Sequence, residues 1–375
     1  MPARDSQDAI RRRSAGRLRA VLAAAAVAAS TAVVPASAAT PVPPRQDDAS
    51  DRAYVSNATA RTVSFLDTDD RTVTHTVSVP SGAADVAVSR RMHRAYVTGG
   101  HDSRTVTVLD TDRARVVGTL RVGDRPEGVA VSRDGRRAYV ANAGSGTVSV
   151  IDTARNRVVR TVRVGTFPRG LAVSPDGDRV YVANLLSGSV SVIDAHRGRV
   201  VATVELGSGT AAYDVAVSPD GTLAYVSTGN GTEYVSVLDA RAATVLDAVP
   251  VAAGAESLAV APDGSEVYVS SGFGSEEVSV IDTEVGTVAR SFRVPGGAEG
   301  LALGYEGRQM YVATGLGSRS AVYVDTETDR VMGSTTVGSG PMDVAVEAEP
   351  EPVAPRAGTG RRVHWKTGGE QSGTR

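Results

Sequence analysis

The sequence predicts an all-β fold, a seven-bladed β-propeller with four antiparallel strands in each blade. Three recurring landmarks carry that prediction. A tyrosine returns at Tyr54, Tyr96, Tyr139, Tyr181, Tyr225, Tyr268 and Tyr311, always 42 to 44 residues apart. An apolar run closing on aspartate returns at Asp67, Asp110, Asp152, Asp194, Asp239, Asp282 and Asp325. A Val/Leu-Ala-Val/Leu triplet opens at Val86, Val129, Leu171, Val215, Leu258, Leu301 and Val344. Four short strands in a unit of about 43 residues, repeated seven times, mark a propeller. An open solenoid would need atypical capping repeats, and none is visible.

The elements follow in chain order. Residues 1–39 carry a basic start (Arg11, Arg12, Arg13, Arg17, Arg19), an Ala/Val-rich run from Ala20 to Val34 and small residues at Ala36-Ser37-Ala38. That order predicts a Sec-type signal peptide cleaved near Ala38 or Ala39, and hence a secreted or wall-associated protein. The apolar run is too short for a ~30 Å hydrocarbon core, so no membrane span is expected after cleavage. Residues 40–50 read as a linker and 51–346 as the propeller. Within a unit, SPDG tetrads such as Ser174 to Gly177 are hairpin turns, and alternation in TVSVID and RVVRTVRV marks strands. The triplet strand is apolar throughout, as expected where both faces pack near a crowded axis. The chain enters on AYVSN without a triplet ahead of it and leaves on Asp343-Val344-Ala345-Val346. The last strand is therefore expected to complete the first blade and close the ring. Residues 347–375, rich in Pro, Gly and charge, are expected to be a disordered tail. Its cluster Arg361, Arg362, His364, Trp365 and Lys366 suits an anionic wall polymer, although a solvated spacer is the plainer reading.

Composition narrows the function classes. The 375 residues include 40 glycines, only 4% aromatics and no cysteine. Disulfides, thiolate metal sites, a cysteine nucleophile and covalently attached haem are excluded. Removing the signal peptide, with six arginines against Asp5 and Asp8, takes the formal charge from −2 to −6. An acidic chain with scattered arginines and almost no lysine argues against nonspecific nucleic-acid binding.

The strings AYVSN, AYVTG, AYVAN, VYVAN, AYVST and MYVAT, joined to SPDG turns and VSVIDT strands, resemble the YVTN-type β-propeller repeat of exported and surface-layer proteins. The resemblance covers residues 51–346 and implies the fold. For function it is permissive, because related propellers include cell-surface modules, a nucleic-acid binder and haem- or quinone-associated proteins. Quinone-holding propellers commonly carry a tryptophan in each blade, whereas Trp365 in the tail is the only one here.

Symmetry filters the candidate site. A residue repeated in all seven blades serves the fold, so function is sought where the repeats differ. They differ in the loops leading into the triplet strand and in those between the second and third strands. The position before the triplet reads Asp85, Gly128, Gly170, Asp214, Ser257, Gly300, Asp343, and the one before that Ala84, Glu127, Arg169, Tyr213, Glu256, Glu299, Met342. Both rows should ring the channel mouth as an acidic arc broken by Arg169, with Arg125 nearby. Like charges at a narrow mouth attract a cation, so Ca²⁺, with Asp85 and Asp343 as metal candidates, or an amine fits the arc. A solvated rim of Arg–Glu pairs is the simpler alternative, and no resident cofactor is otherwise expected. Phe167, Leu185, Leu186, Tyr213, Phe273 and Leu316 fall in the same loops, either as a binding patch or as scattered cover. Glu127, Arg169, His101 and Asp343 are the candidates for acid–base chemistry. The leading expectation is a monomeric binding or scaffold module recognising a protein, small-molecule or wall ligand. A lactonase-like hydrolase or lyase comes second, and a single-stranded nucleic-acid binder third.

Overall fold

The computed structural model describes residues 52–347 except 230–232, 252–253, 273 and 305. The expected signal peptide, linker and nearly all of the tail lie outside the described residues, as does Phe273. Twenty-eight strands form seven four-stranded antiparallel sheets, each a blade. The inner strands of blades two to seven are Val86–Ser89, Pro126–Val131, Pro168–Val173, Ala211–Val217, Leu258–Val260 and Leu301–Leu303. Blade one takes its inner strand, Pro341–Val346, from the far end of the chain and its other three from Arg52–Asn57, Thr62–Asp67 and Thr72–Ser78. No helix among the described residues is long and apolar enough to cross a membrane.

Local chemistry sets the blade. The second and third strands are buried on both faces, as in RAYVAN and TVSVID, so the alternation of TVSVID puts small polar side chains inside and does not mark a wet face. The outermost strand alternates because one face meets water. The repeated aspartate ends the third strand as a turn acceptor: Asp152 Oδ1 takes the Arg155 N–H at 3.0 Å, and Asp67 Oδ1 takes those of Asp69 and Asp70. Apolar side chains gather into seven clusters, one between each pair of neighbouring blades. The seven repeated tyrosines are all at most 2% exposed within them. Valine and alanine thus supply most of the core, and the repeated tyrosines supply bulk, joined by Phe65 in blade one and Tyr323 in blade seven.

The ring closes by strand pairing. Ala53, Tyr54, Val55 and Ser56 oppose Val346, Ala345, Val344 and Asp343. Pairing runs one residue past the expected boundary, because Glu347 donates its N–H to the Arg52 carbonyl and accepts the Tyr54 hydroxyl at 2.8 Å. Glu347 therefore belongs to the ring and not to the tail.

Without the closing strand, the buried N–H and C=O groups of Arg52–Asn57 lose their partners, at about 1–3 kcal/mol for each group left unsatisfied. Several such groups exceed the whole stability of an ordinary domain. A chain ending at residue 339 is expected to show no cooperative urea transition by circular dichroism, where the full chain shows one. A normal transition in the shortened chain would refute closure as the source of stability.

Candidate functional site

The two variable loop sets meet on one face, tied to each other by backbone bonds. In blade three Ala143 and Gly144 donate to the carbonyls of Arg125 and Asp124, and in blade four Leu185 donates to that of Phe167. Arg125 and Phe167, each just before a proline, hold φ of 52° and 59°. Non-glycine residues rarely adopt that conformation, so these loops are held by their surroundings. The loops enclose a cavity of about 960 Å³ lined by all seven residues of each variable row. His101 and Asp102 stand at its rim, hydrogen-bonded to each other at 2.8 Å and exposed.

The row next to the triplet is built in two ways. In blades one, two and five the aspartate N–H bonds to a hydroxyl two residues after the repeated tyrosine: Asp343 to Ser56, Asp85 to Thr98, Asp214 to Ser227. Ser257 pairs with Ser270 in the same manner in blade six. Those hydroxyls donate onward to carbonyls of the next blade, Thr98 to Glu127 at 2.5 Å, Ser227 to Glu256 at 2.9 Å and Ser270 to Glu299 at 2.7 Å. The backbone of each outer-row glutamate is thus pinned by a hydroxyl of the preceding blade. In blades three, four and seven the pair is instead glycine with alanine: Gly128 with Ala141, Gly170 with Ala183, Gly300 with Ala313. A Cβ on Gly128 would lie 2.2 Å from the Arg169 carbonyl, and one on Gly170 would lie 2.2 Å from Asp214 Oδ1. The neighbouring strand leaves no room for a side chain there.

The aspartates also bridge blades. Asp85 accepts the N–H of Val86 at 2.6 Å and that of Val129, one blade on, at 2.7 Å. Asp214 does the same with Val215 and Leu258. Asp343 accepts from Val344 and shares a carboxyl–carboxyl hydrogen bond with Asp85. Two buried carboxyls placed against each other resist ionising together. Burial pushes Asp343 well above the carboxylate range, with the charge of Asp85 and their shared hydrogen bond adding to it. Burial also raises Asp85, against the pull of its hydrogen bonds. Asp214 is pushed up to about 6 by burial and by Asp85, while backbone N–H groups and Arg169 act the other way.

The outer row is partly neutralised. Glu127 Oε1 meets Arg125 Nε at 2.6 Å. Arg169 lies over the Tyr213 ring, 5.1 Å from its centroid, and passes beyond blade five to pair with Glu256 of blade six. Burial opposes the charge on Arg169, but Glu256 more than offsets it. Glu299 and Met342 also line the cavity. Phe167 does not line it, because its ring lies 4.6 Å beneath the Arg125 guanidinium. Leu186 and Leu316 are 67% and 65% exposed, and only Tyr213 and Leu316 of the described apolar loop residues reach the cavity. The expected apolar residues therefore do not gather into one patch. Among the described residues, no group of three or more His, Cys, Asp or Glu is arranged to hold a metal ion.

A profile for the family described as Cytochrome D1 heme domain matches residues 96–205, less than a third of the chain. No curated protein matches the sequence. A functionally unknown protein from Desulfotomaculum acetoxidans superposes with a TM-score of 0.70 at 19% identity, covering 80% of this chain and all of that one. Hydrazine synthase of Kuenenia stuttgartiensis gives 0.63 at 23% identity over 72% of this chain and 91% of the other. Dihydro-heme d1 dehydrogenase NirN in complex with DHE gives 0.58 at 17% identity over 82% and 77%. This chain has the propeller fold of those proteins.

An acid whose pKa is raised on folding stabilises the fold below its unfolded value and loses that contribution as pH rises through the folded one. For Asp85, Asp214 and Asp343 the loss begins near pH 4 and, for Asp214, centres near pH 6. Asp343→Asn keeps an acceptor for Val344 and a donor for Asp85 but cannot ionise. Its melting temperature is expected to exceed wild type by about 2–4 °C at pH 8 and to match it at pH 3.5. An equal offset at both pH values would show that the pair does not hold a proton.

The crowding at the axis gives a second expectation. Gly128→Ala should destabilise by about 3 kcal/mol, at the upper end of overpacking costs, read as a lowered urea midpoint at unchanged slope. A neutral substitution would contradict the close approach of blade four.

Proposed function

We propose that this chain is an exported binding propeller of the YVTN type whose axial cavity takes a small organic cation. The observation that carries this reading is the convergence of acidic side chains from six blades on one cavity, where seven carboxyl groups face four arginines. Arg104, Arg125 and Arg169 are committed to Asp124, Glu127 and Glu256, and with Arg61 they face a lining that holds Asp85, Asp102, Glu127, Asp214, Glu256, Glu299 and Asp343. The carboxyl pKa values are raised first by burial and then by neighbouring carboxylates, and a bound ammonium would favour the ionised forms. The start of the sequence, residues 1–39, supports export.

A haem does not suit this cavity. A tetrapyrrole with carboxylate substituents would face Asp85, Asp343, Glu127 and Glu299, and the one histidine in the lining, His101, is exposed at the rim on Asp102. A second reading has one observation in its favour. Two carboxyls sharing a proton form an acid–base pair, so any hydrolytic chemistry in the cavity belongs to Asp85 and Asp343 rather than to Glu127, Arg169 or His101.

Isothermal titration with 1,4-diaminobutane, with Ca²⁺ as competing probe, tests the binding reading. Submillimolar diamine binding is expected, weakened at least fivefold by Glu299→Gln. No heat and no rise in melting temperature at 10-fold higher ligand would reject it, and a stronger Ca²⁺ response would replace the organic cation by a metal. An ester and lactone panel, read with Asp343→Asn, tests the second reading; no turnover removes it.

A further inference from the structure

The charge of the ring is segregated. Blades two to four, residues 86–205, carry 19 arginines against 11 acidic residues, whereas blades five to seven, residues 206–340, carry 6 against 17. The arginines that the mildly acidic total made appear scattered are gathered on one side. On the face opposite the axial cavity, where the SPDG-type turns lie, this basic sector contains a groove of about 710 Å³ between blades three and four. Arg91, Arg133, Arg136, Arg137, Arg155 and His196 line it. Arg91, Arg133, Arg136, Arg155 and His196 are exposed. Arg137 and Arg155 share the single Asp152, at 3.1 and 2.9 Å, so two guanidinium groups there answer one carboxylate. Five arginines against Asp134, Asp152 and Asp176 leave the lining with an excess of two positive charges, and His196 is held at 2.8 Å by Asp178 and adds none to that count.

We propose that this groove and the basic sector around it dock a linear polyol phosphate of the cell wall, gripped through its phosphates. Guanidinium groups on short turns present forked donors that match phosphate oxygens in pairs. A spaced row of them suits a polymer with one charge per repeat better than a single small anion. A nucleic acid would gain further from aromatic platforms for its bases, and the groove offers only Tyr139, which is buried. Segregation also explains how a chain of negative net charge can hold a polyanion. At physiological salt, charges more than about 8 Å apart are largely screened, so the acidic blades across the ring do not cancel the basic sector.

The test is fluorescence anisotropy of the full chain with a labelled glycerol phosphate oligomer, beside oligothymidylate and polyglutamate of equal charge, between 50 and 300 mM salt. The expected result is binding that weakens linearly in log salt and favours the glycerol phosphate oligomer. Arg133→Gln/Arg136→Gln/Arg155→Gln should lose at least 10-fold and flatten the salt slope. The same three positions changed to lysine should keep the wild-type salt slope and lose less affinity than the glutamine triple, which guards against a folding defect. Arg241→Gln/Arg308→Gln/Arg330→Gln, an equal charge loss in the acidic blades, should bind as wild type. No binding at 50 mM salt, equal weakening by the two glutamine triples, or tighter binding of oligothymidylate or polyglutamate would overturn the proposal.

Discussion

Everything in this molecule is arranged around crowding at the axis. Seven inner strands converge so closely that the residue before each triplet has two solutions. It is a glycine that lets the next strand press against its backbone, or a short polar residue whose side chain ties the blades together. Gly128 and Gly170 illustrate the first, and Asp85 and Asp214 the second, each aspartate accepting N–H groups from two blades. The cavity above the axis inherits its acidity from this choice. Carboxylates that staple the ring also line its mouth, and their raised pKa values follow from being held where water is scarce.

The repeat made the fold readable before any coordinates. A period of about 43 residues with three landmarks fixes blade number, strand order and the closing strand, because a repeat that cannot bury its own faces must stack on its copies. The two variable rows were readable for the same reason, since position within the repeat sets which end of a strand a residue occupies. Pairing across the axis was not. Arg169 and Glu256 belong to blades four and six, and a periodic pattern reports neighbours in the ring rather than partners across it. Phe167 was misplaced because its loop position was legible while its rotation beneath Arg125 was not.

Two features of the structure have a counterpart in the letters. The hydroxyl after the tyrosine accompanies the polar residue before the triplet in blades one, two, five and six, and alanine accompanies glycine in the other three. That co-occurrence is a hydrogen bond written twice along the chain. The arginine-rich stretch from residue 86 to 205 was hidden by a total charge that averages two opposite sectors. Net charge describes solubility and long-range steering, while a partner at the surface meets only the charges within a Debye length.

The closing strand has a consequence for the order of events in the life of the chain. The strand Arg52–Asn57 is made first among those described and needs Pro341–Val346, made last. Blades two to seven can assemble as each emerges, but blade one must wait for nearly three hundred residues of synthesis. Until then its open edge is a template for the wrong partner. Delivery of the final strand is therefore the step that converts an open stack into a ring. A ribosome still holding that strand keeps the molecule unfinished however much of it has already formed.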